Sequence, residues 1–207
     1  LSTGRTLFIG DTAVDKFPDA LELARITLQS AAFARTFGAT PRVALLSHSN
    51  FGNPEMERSE KIRAAVSMLD RREDLTFEYD GEMNVDVALN PNMRELYPFS
   101  RLTEAANVLV MPALHSASIA TTLLAEAGGA TVLGPVLSGL AKPIQIAPLG
   151  ATVSDIVSFA AFAAFQAGQI AEANAAEAGV AVLPTMRRDA NIRQKINAGS
   201  ATAPAPI

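Results

Sequence analysis

The chain has 207 residues, of which 49% are hydrophobic and 18% charged, with a formal net charge of -4. That length and apolar content bury the core of one domain or of two closely joined lobes, and so mild a charge excludes a nucleic-acid partner held by bulk electrostatics. With no cysteine, a disulfide framework, a thiolate metal site and a thiol nucleophile are all excluded, as suits a reducing cytoplasm.

Taken in chain order, short aliphatic runs alternate with helix-length amphipathic segments, the pattern of an α/β fold. Residues 6–10 read as a strand and 18–37 as a helix, with Pro18 in its first turn and Leu21, Ala24, Leu28, Ala31 and Ala34 at helical spacing. Gly38 suits the left-handed residue that ends it. Residues 42–47 read as a buried strand, and a second helix is expected to start with Asn53 as cap and Pro54 in its first turn. Further on, 75–79 reads as a strand, 82–89 as a short helix, 107–111 as a strand and 116–127 as a helix stopped by Gly128 and Gly129.

Residues 131–133 and 143–147 are expected to be two more strands, joined through Gly134, Pro135, Gly139 and Lys142. A last helix, 152–171, carries Ile156, Phe159, Phe162, Ala163 and Ile170 with few charges on any side, so it is expected to be buried all round or packed between subunits. Its longest apolar stretch, 156–165, is about half a membrane span, so no membrane partner is expected. From Met186 the periodicity is lost and Arg187, Arg188, Arg193 and Lys195 read as a solvated arm. The expected division is 1–171 as the domain and 172–207 as a tail. The first five residues show neither a starting Met nor a basic n-region, so a piece of a longer chain is expected.

Few residues carry recognisable chemistry. The segment VALLSHSNFGNPE puts Ser47, Ser49, Asn50 and Gly52 between a strand and a helix start, where free N–H groups favour an anion; the alternative is a capped turn. His48 and His115 lack the spacing of paired metal ligands. Asp80, Glu82 and Asp86 have oxygen ligands for a cation, yet read better as a helix-capping, solvated face, so no metal is expected. Asp155, near the start of the last helix, is either a base or only a cap.

Several segments in order, LFIGDTAVD, PRVALLSHSNFG, YDGEMNVDVALN, YPFSRLTEAANVLVMPALHSASIA and GGATVLGPVLSGLAKPIQIAPLGATVSDI, resemble the phosphate acetyl/butyryltransferases over residues 6–164. The resemblance is to the version fused behind the catalytic part of bacterial hybrid NADP-dependent malic enzymes, as YPFSRL and QIAPLGAT indicate. Working transferases carry a stretch similar to NDLSRGCSVEDI in the second of these places. The resemblance therefore implies that the family's catalytic Ser and neighbouring Arg fall on Pro148 and Leu149, and another family Arg on Glu126, while Asp155 alone matches the family's base. Two lost charge-stabilising donors, at roughly 2.7–4 kcal/mol each, imply a rate lower by about four orders of magnitude or more.

The same resemblance implies an isocitrate/isopropylmalate dehydrogenase-like three-layer αβα sandwich with two lobes around a cleft. It also implies a homodimer or higher homo-oligomer, and a malic-enzyme catalytic domain in the same chain that uses NADP and Mg or Mn. The expected role is regulatory: acetyl-CoA is the effector, bound near Ser47, Ser49, Asn50, Gly52, Gly134, Pro135, Lys142 and Asp155. An active transferase and a ligand-free oligomerisation module are the alternatives.

Overall fold

Four short strands, β1 (Phe8–Gly10), β2 (Arg42–Leu46), β3 (Glu78–Met83) and β4 (Val108–Val110), pair in parallel in the order β1-β4-β2-β3. They come from a computed structural model that describes residues 4–11, 13–55 and 57–177. Parallel neighbours need crossover segments, and helices supply them. The helix α1 (Ala20–Thr36) joins β1 to β2, and α2 (Glu57–Leu69) joins β2 to β3. Two short helices, α3 (Val85–Leu89) and α4 (Pro91–Arg94), precede β4, and α5 (Leu114–Glu126) follows it. The long α6 (Val153–Glu177) comes last.

Side-chain alternation along the strands divides the core between the two faces of the sheet. Val43, Leu45, Val108 and Val110 pack with Leu23, Ile26 and Ala31 of α1 and Ile62, Ala65 and Leu69 of α2. Ala44, Leu46 and Leu109 point the other way, onto Met83, Val87, Leu102, Met111 and Ala117 of α5. The sheet is thus covered on both sides, and because all four strands run one way, their C-terminal ends share one edge. The loops that follow them carry Asp11, Ser47, Asn84 and Pro112 to that edge. There the Lys61 ammonium donates to the carbonyls of Pro18 (2.8 Å) and Pro112 (2.9 Å), tying the entry of α1 to the loop after β4.

Several boundaries differ from the sequence expectation for identifiable reasons. The first helix starts at Ala20, not Pro18, because Asp19 and Glu22 form a reciprocal cap: Glu22 N–H donates to Asp19 at 2.8 Å and Asp19 N–H to Glu22 at 2.7 Å. Its end is as expected, with Gly38 at φ +75°. Asn53 caps no helix. Its backbone N–H and carbonyl pair with those of Asn50 across a turn whose middle residues, Phe51 (φ +50°) and Gly52 (φ +91°), are left-handed, so α2 begins only at Glu57. Strand β3 runs on to Met83, which places Asp80 and Glu82 in the sheet rather than on a helix.

The two strands expected at 131–133 and 143–147 do not form: no strand occurs over residues 130–152, and Val132, Leu133, Ile144 and Ile146 are exposed. Strand composition is there, but no described strand edge is offered to it. Helix α6 is longer than expected and is not buried all round. Phe159 is buried, while Val153, Ile156 and Val157 are open. The sequence estimate also undervalued it, since Val153–Glu172 has a mean hydropathy of 1.2 and is long and apolar enough to cross a membrane. One such helix carries no membrane assignment, because a helix packed within or between proteins meets the same criterion.

The chain divides into two units, Leu1–Ala163 and Ala164–Ile207. The first holds the sheet, α1 to α5 and the start of α6; the second is described only as the rest of α6. The arm read from Met186 onward, with Arg187, Arg188, Arg193 and Lys195, lies outside the described residues.

Candidate functional site

The residues singled out in the sequence fall into two separate places. Ser47, Ser49, Asn50 and Gly52 occupy the loop after β2, at the C-terminal edge of the sheet, where ligands of open parallel sheets are commonly held. The donors there are already engaged by the protein. Ser49 is fully buried, and its hydroxyl donates to Glu82 Oε1 at 2.8 Å; Gly52 N–H donates to the same oxygen at 3.0 Å. Arg63 of α2 donates to both Glu82 oxygens, each at 3.0 Å. Gly52 is suited to its place, since its left-handed backbone, φ +91°, favours glycine.

The hydroxyl protons are likewise accounted for. Ser47 and Ser59 are 2.9 Å apart, and Ser59 and Ser49 are 2.8 Å apart. A hydroxyl has one proton. Ser49 spends its own on Glu82, so Ser59 must donate to Ser49 and Ser47 in turn donates inward. Asn50 Oδ1 accepts the N–H of Asn84 at 2.7 Å. A phosphate arriving at this loop therefore meets a filled carboxylate seat.

Glu82, expected on a solvated face, is wholly buried, and Asp80 nearly so. Asp80 accepts from Gly81 N–H (2.9 Å), Ser100 Oγ (3.0 Å) and Arg101 N–H (2.8 Å), so it serves the backbone rather than a cation. Only Asp86 behaves as expected, accepting from Val87 N–H at the start of α3. Among the described residues no group of three or more His, Asp or Glu could hold a metal ion. His115 packs its ring 5.9 Å from Phe17, and the His48 carbonyl accepts from the Asn84 amide.

The second place is a cavity of about 140 Å3 lined by Val132, Leu133, Gly134, Pro148, Asp155, Ser158, Phe159 and Phe162. It unites three of the positions marked in the sequence, Gly134, Pro148 and Asp155. Pro135 and Lys142 do not line it, and neither do Ser47, Ser49, Asn50 or Gly52, so the expected binding set is split. Leu149 and Glu126 also lie outside it, both exposed.

The Asp155 carboxylate accepts from Thr152 N–H at 2.9 Å and Thr152 Oγ1 at 2.8 Å, while Asp155 N–H donates back to Thr152 Oγ1 at 3.2 Å. This cap at the start of α6, led by the Thr152 backbone N–H, holds the Asp155 carboxyl below its ordinary range. Lys61 is lowered as well, by burial despite the nearby Asp19 and Glu22, and for an ammonium that disfavours the charged form.

Sequence reasoning missed Ser59, Arg63 and Lys61. The first two stand four residues apart, on one face of α2, and that spacing was readable. Glu82, the partner of Arg63 on a strand 19 residues beyond it, was not.

A family model described as phosphate acetyl/butaryl transferase matches residues 1–164. The NADP-dependent malic enzyme of Rhizobium meliloti (strain 1021) is 55% identical over 161 residues, 78% of this chain but 21% of that protein. The NADP-dependent malic enzyme of Escherichia coli (strain K12) is 46% identical, with the same coverage of each chain. A phosphotransacetylase from Streptococcus pyogenes superposes with a TM-score of 0.76 at 30% identity, covering 81% of this chain and 51% of that one. One from Staphylococcus aureus gives 0.73 at 33%, covering 79% and 51%. The chain thus spans about a fifth of those malic enzymes and about half of those phosphotransacetylases. By these matches the parallel α/β chain belongs to the phosphate acetyl/butaryl transferase family, as a phosphotransacetylase-like domain similar to that of bacterial NADP-dependent malic enzymes.

Proposed function

We propose that this domain is a phosphotransacetylase-like regulatory module without transferase activity, which binds acetyl-CoA and adjusts a malic-enzyme catalytic domain in the same protein. The observation that carries it is the cavity that Pro148 and Asp155 share. Pro148 presents a ring with neither a hydroxyl nor a backbone N–H toward a reacting group, and Leu149 beside it is a fully exposed hydrocarbon. Acyl transfer from a phosphate needs donors where charge develops, and the loss of two costs several powers of ten in rate. Asp155, the one residue at a matching position, is held in its charged form by Thr152, which makes it a weaker proton acceptor at neutral pH.

In this reading the acetyl-CoA site is built around Gly134 and Asp155 in the cavity, with Pro135 and Lys142 contributing from the same 130–152 segment outside it. A two-lobed cleft of the isocitrate dehydrogenase type is completed by the part of the family domain that this chain, about half of the matched phosphotransacetylases, does not span. NADP and Mg or Mn belong to the malic-enzyme part, which oxidatively decarboxylates malate in the cytoplasm, and regulation requires that acetyl-CoA bind two arrangements with different affinity. Titration calorimetry of acetyl-CoA with the intact protein tests this: binding is expected, together with a change in malate turnover. Heat-silent titration, or brisk formation of acetyl-CoA from acetyl phosphate and CoA, would sink it.

One observation favours a second reading, an oligomerisation module. Residues 132–157 and α6 expose apolar side chains that a second copy would cover. Val153→Glu with Val157→Glu, both exposed on α6 and outside the cavity lining, separates assembly from sensing if it breaks a homodimer or higher oligomer yet leaves the acetyl-CoA response intact.

A further inference from the structure

We propose that the loop after β2 is an anion cradle whose occupant is the chain's own Glu82, closing this end of the sheet to outside oxyanions while that carboxylate stays in place. Three elements meet at it: the 47–53 loop gives Ser49 Oγ and Gly52 N–H, α2 gives the Arg63 guanidinium, and β3 gives the carboxylate. The Glu82 side chain has no exposed surface, while Arg63 keeps a third of its own. Charge neutralisation alone would need only Arg63. Here a hydroxyl and a backbone N–H also converge on Oε1, and the Ser47 and Ser59 protons feed the same acceptor through Ser49. Such a set of donors is what a bound carboxylate or phosphate recruits in an anion site.

The seat also fastens the loop. Next to it, Phe51 N–H donates to the Glu82 carbonyl at 2.8 Å and Ser47 N–H to the Met83 carbonyl at 2.9 Å, so the loop follows β3 as one piece. Removing the Glu82 side chain beyond Cβ would strand Ser49, Gly52 and Arg63 together, since buried donors without acceptors are costly. The space vacated is that of one methylene and one carboxylate, the shape of acetate. The ligand class of the opened cradle is therefore a small monocarboxylate, independently of where acetyl-CoA binds.

The test is rescue of the full-length chain carrying Glu82→Ala, by thermal unfolding with sodium acetate, with sodium chloride at equal ionic strength, and with acetamide as the uncharged isostere. Acetate is expected to raise the midpoint of Glu82→Ala saturably, by ligand binding to the folded state. Chloride and acetamide should not, the wild type should not respond, and Arg63→Met in the same background should abolish the effect. An equal acetate response in the wild type, a response that survives Arg63→Met, or no response at all overturns the proposal. Should Glu82→Ala fail to fold, Glu82→Gln decides. It keeps an acceptor for Ser49 and Gly52 but returns no charge to Arg63, so its unfolding equilibrium should shift by about tenfold or more. Stability equal to the wild type would refute the cradle.

Discussion

Two segments marked in the sequence for one ligand, residues 47–53 and residues 130–152, are treated in opposite ways by the fold. Both bear glycines and lead into a helix, the first from β2 and the second from α5. The first is closed: its hydroxyls, an N–H and the guanidinium of α2 converge on one buried carboxylate, and its backbone is paired to β3. The second is open, with Leu133, Ile144, Ile146 and Leu149 at the surface and no strand formed. Polar groups that satisfy one another leave little for a ligand to gain. Apolar groups left in water mark the side on which something else belongs, and that side includes the cavity with Pro148 and Asp155.

The contrast can be broken by mutation. Leu45 on β2 is 1% exposed and touches α1 and α2, so Leu45→Ala should cost about 3–4 kcal/mol in urea unfolding. A cost under about 1 kcal/mol would mean that the sheet region is not the stable core. Next comes Gly81→Ala. Its new Cβ would lie 2.7 Å from the Leu45 carbonyl oxygen at φ +158°, so roughly 2 kcal/mol should be lost through strain, read from the same transition.

A smaller effect is expected from Asp70, which accepts from Arg101 Nη2 at 3.0 Å and from the Tyr79 hydroxyl at 2.8 Å. Arg101 holds the Asp70 carboxyl below 3.8, so its contribution is fully present above the ordinary carboxylate range and is lost as pH falls through the lower folded value. The pair is partly exposed, so the contribution should be under about 1 kcal/mol. Asp70→Asn should therefore be less stable than the wild type near neutrality and converge with it in acid, once the pH has fallen through the lowered folded value; a gap that persists there would point to packing instead. Smallest of all, Leu149→Ser should change stability by no more than about 0.5 kcal/mol, since the side chain is fully exposed. A loss comparable to that of Leu45→Ala would place 130–152 in the core and erase the distinction.

Much of the fold was legible because its signals are local. The spacing in α1, the left-handed Gly38 and the aliphatic runs of β2 and β4 depend on neighbours within a turn or a strand. The candidate site was legible only in pieces. Gly134, Pro148 and Asp155 were marked and do meet, whereas Ser47 to Gly52 were marked for the same ligand and stand elsewhere. Glu82 was read as a solvated acid because its short-range setting, among Asp80 and Asp86, is that of a charged surface.

The order of apolar runs and their turn residues thus determined an α/β chain with a parallel sheet, and its collinear motifs determined the family. Only the tertiary structure decided that Glu82 turns inward to Arg63 and that the would-be strands of 131–147 go unpaired. The physical reason is range: helical periodicity and capping act over a few residues, but what a carboxylate accepts, or which edge a strand joins, depends on groups that the sequence places far away and folding brings close.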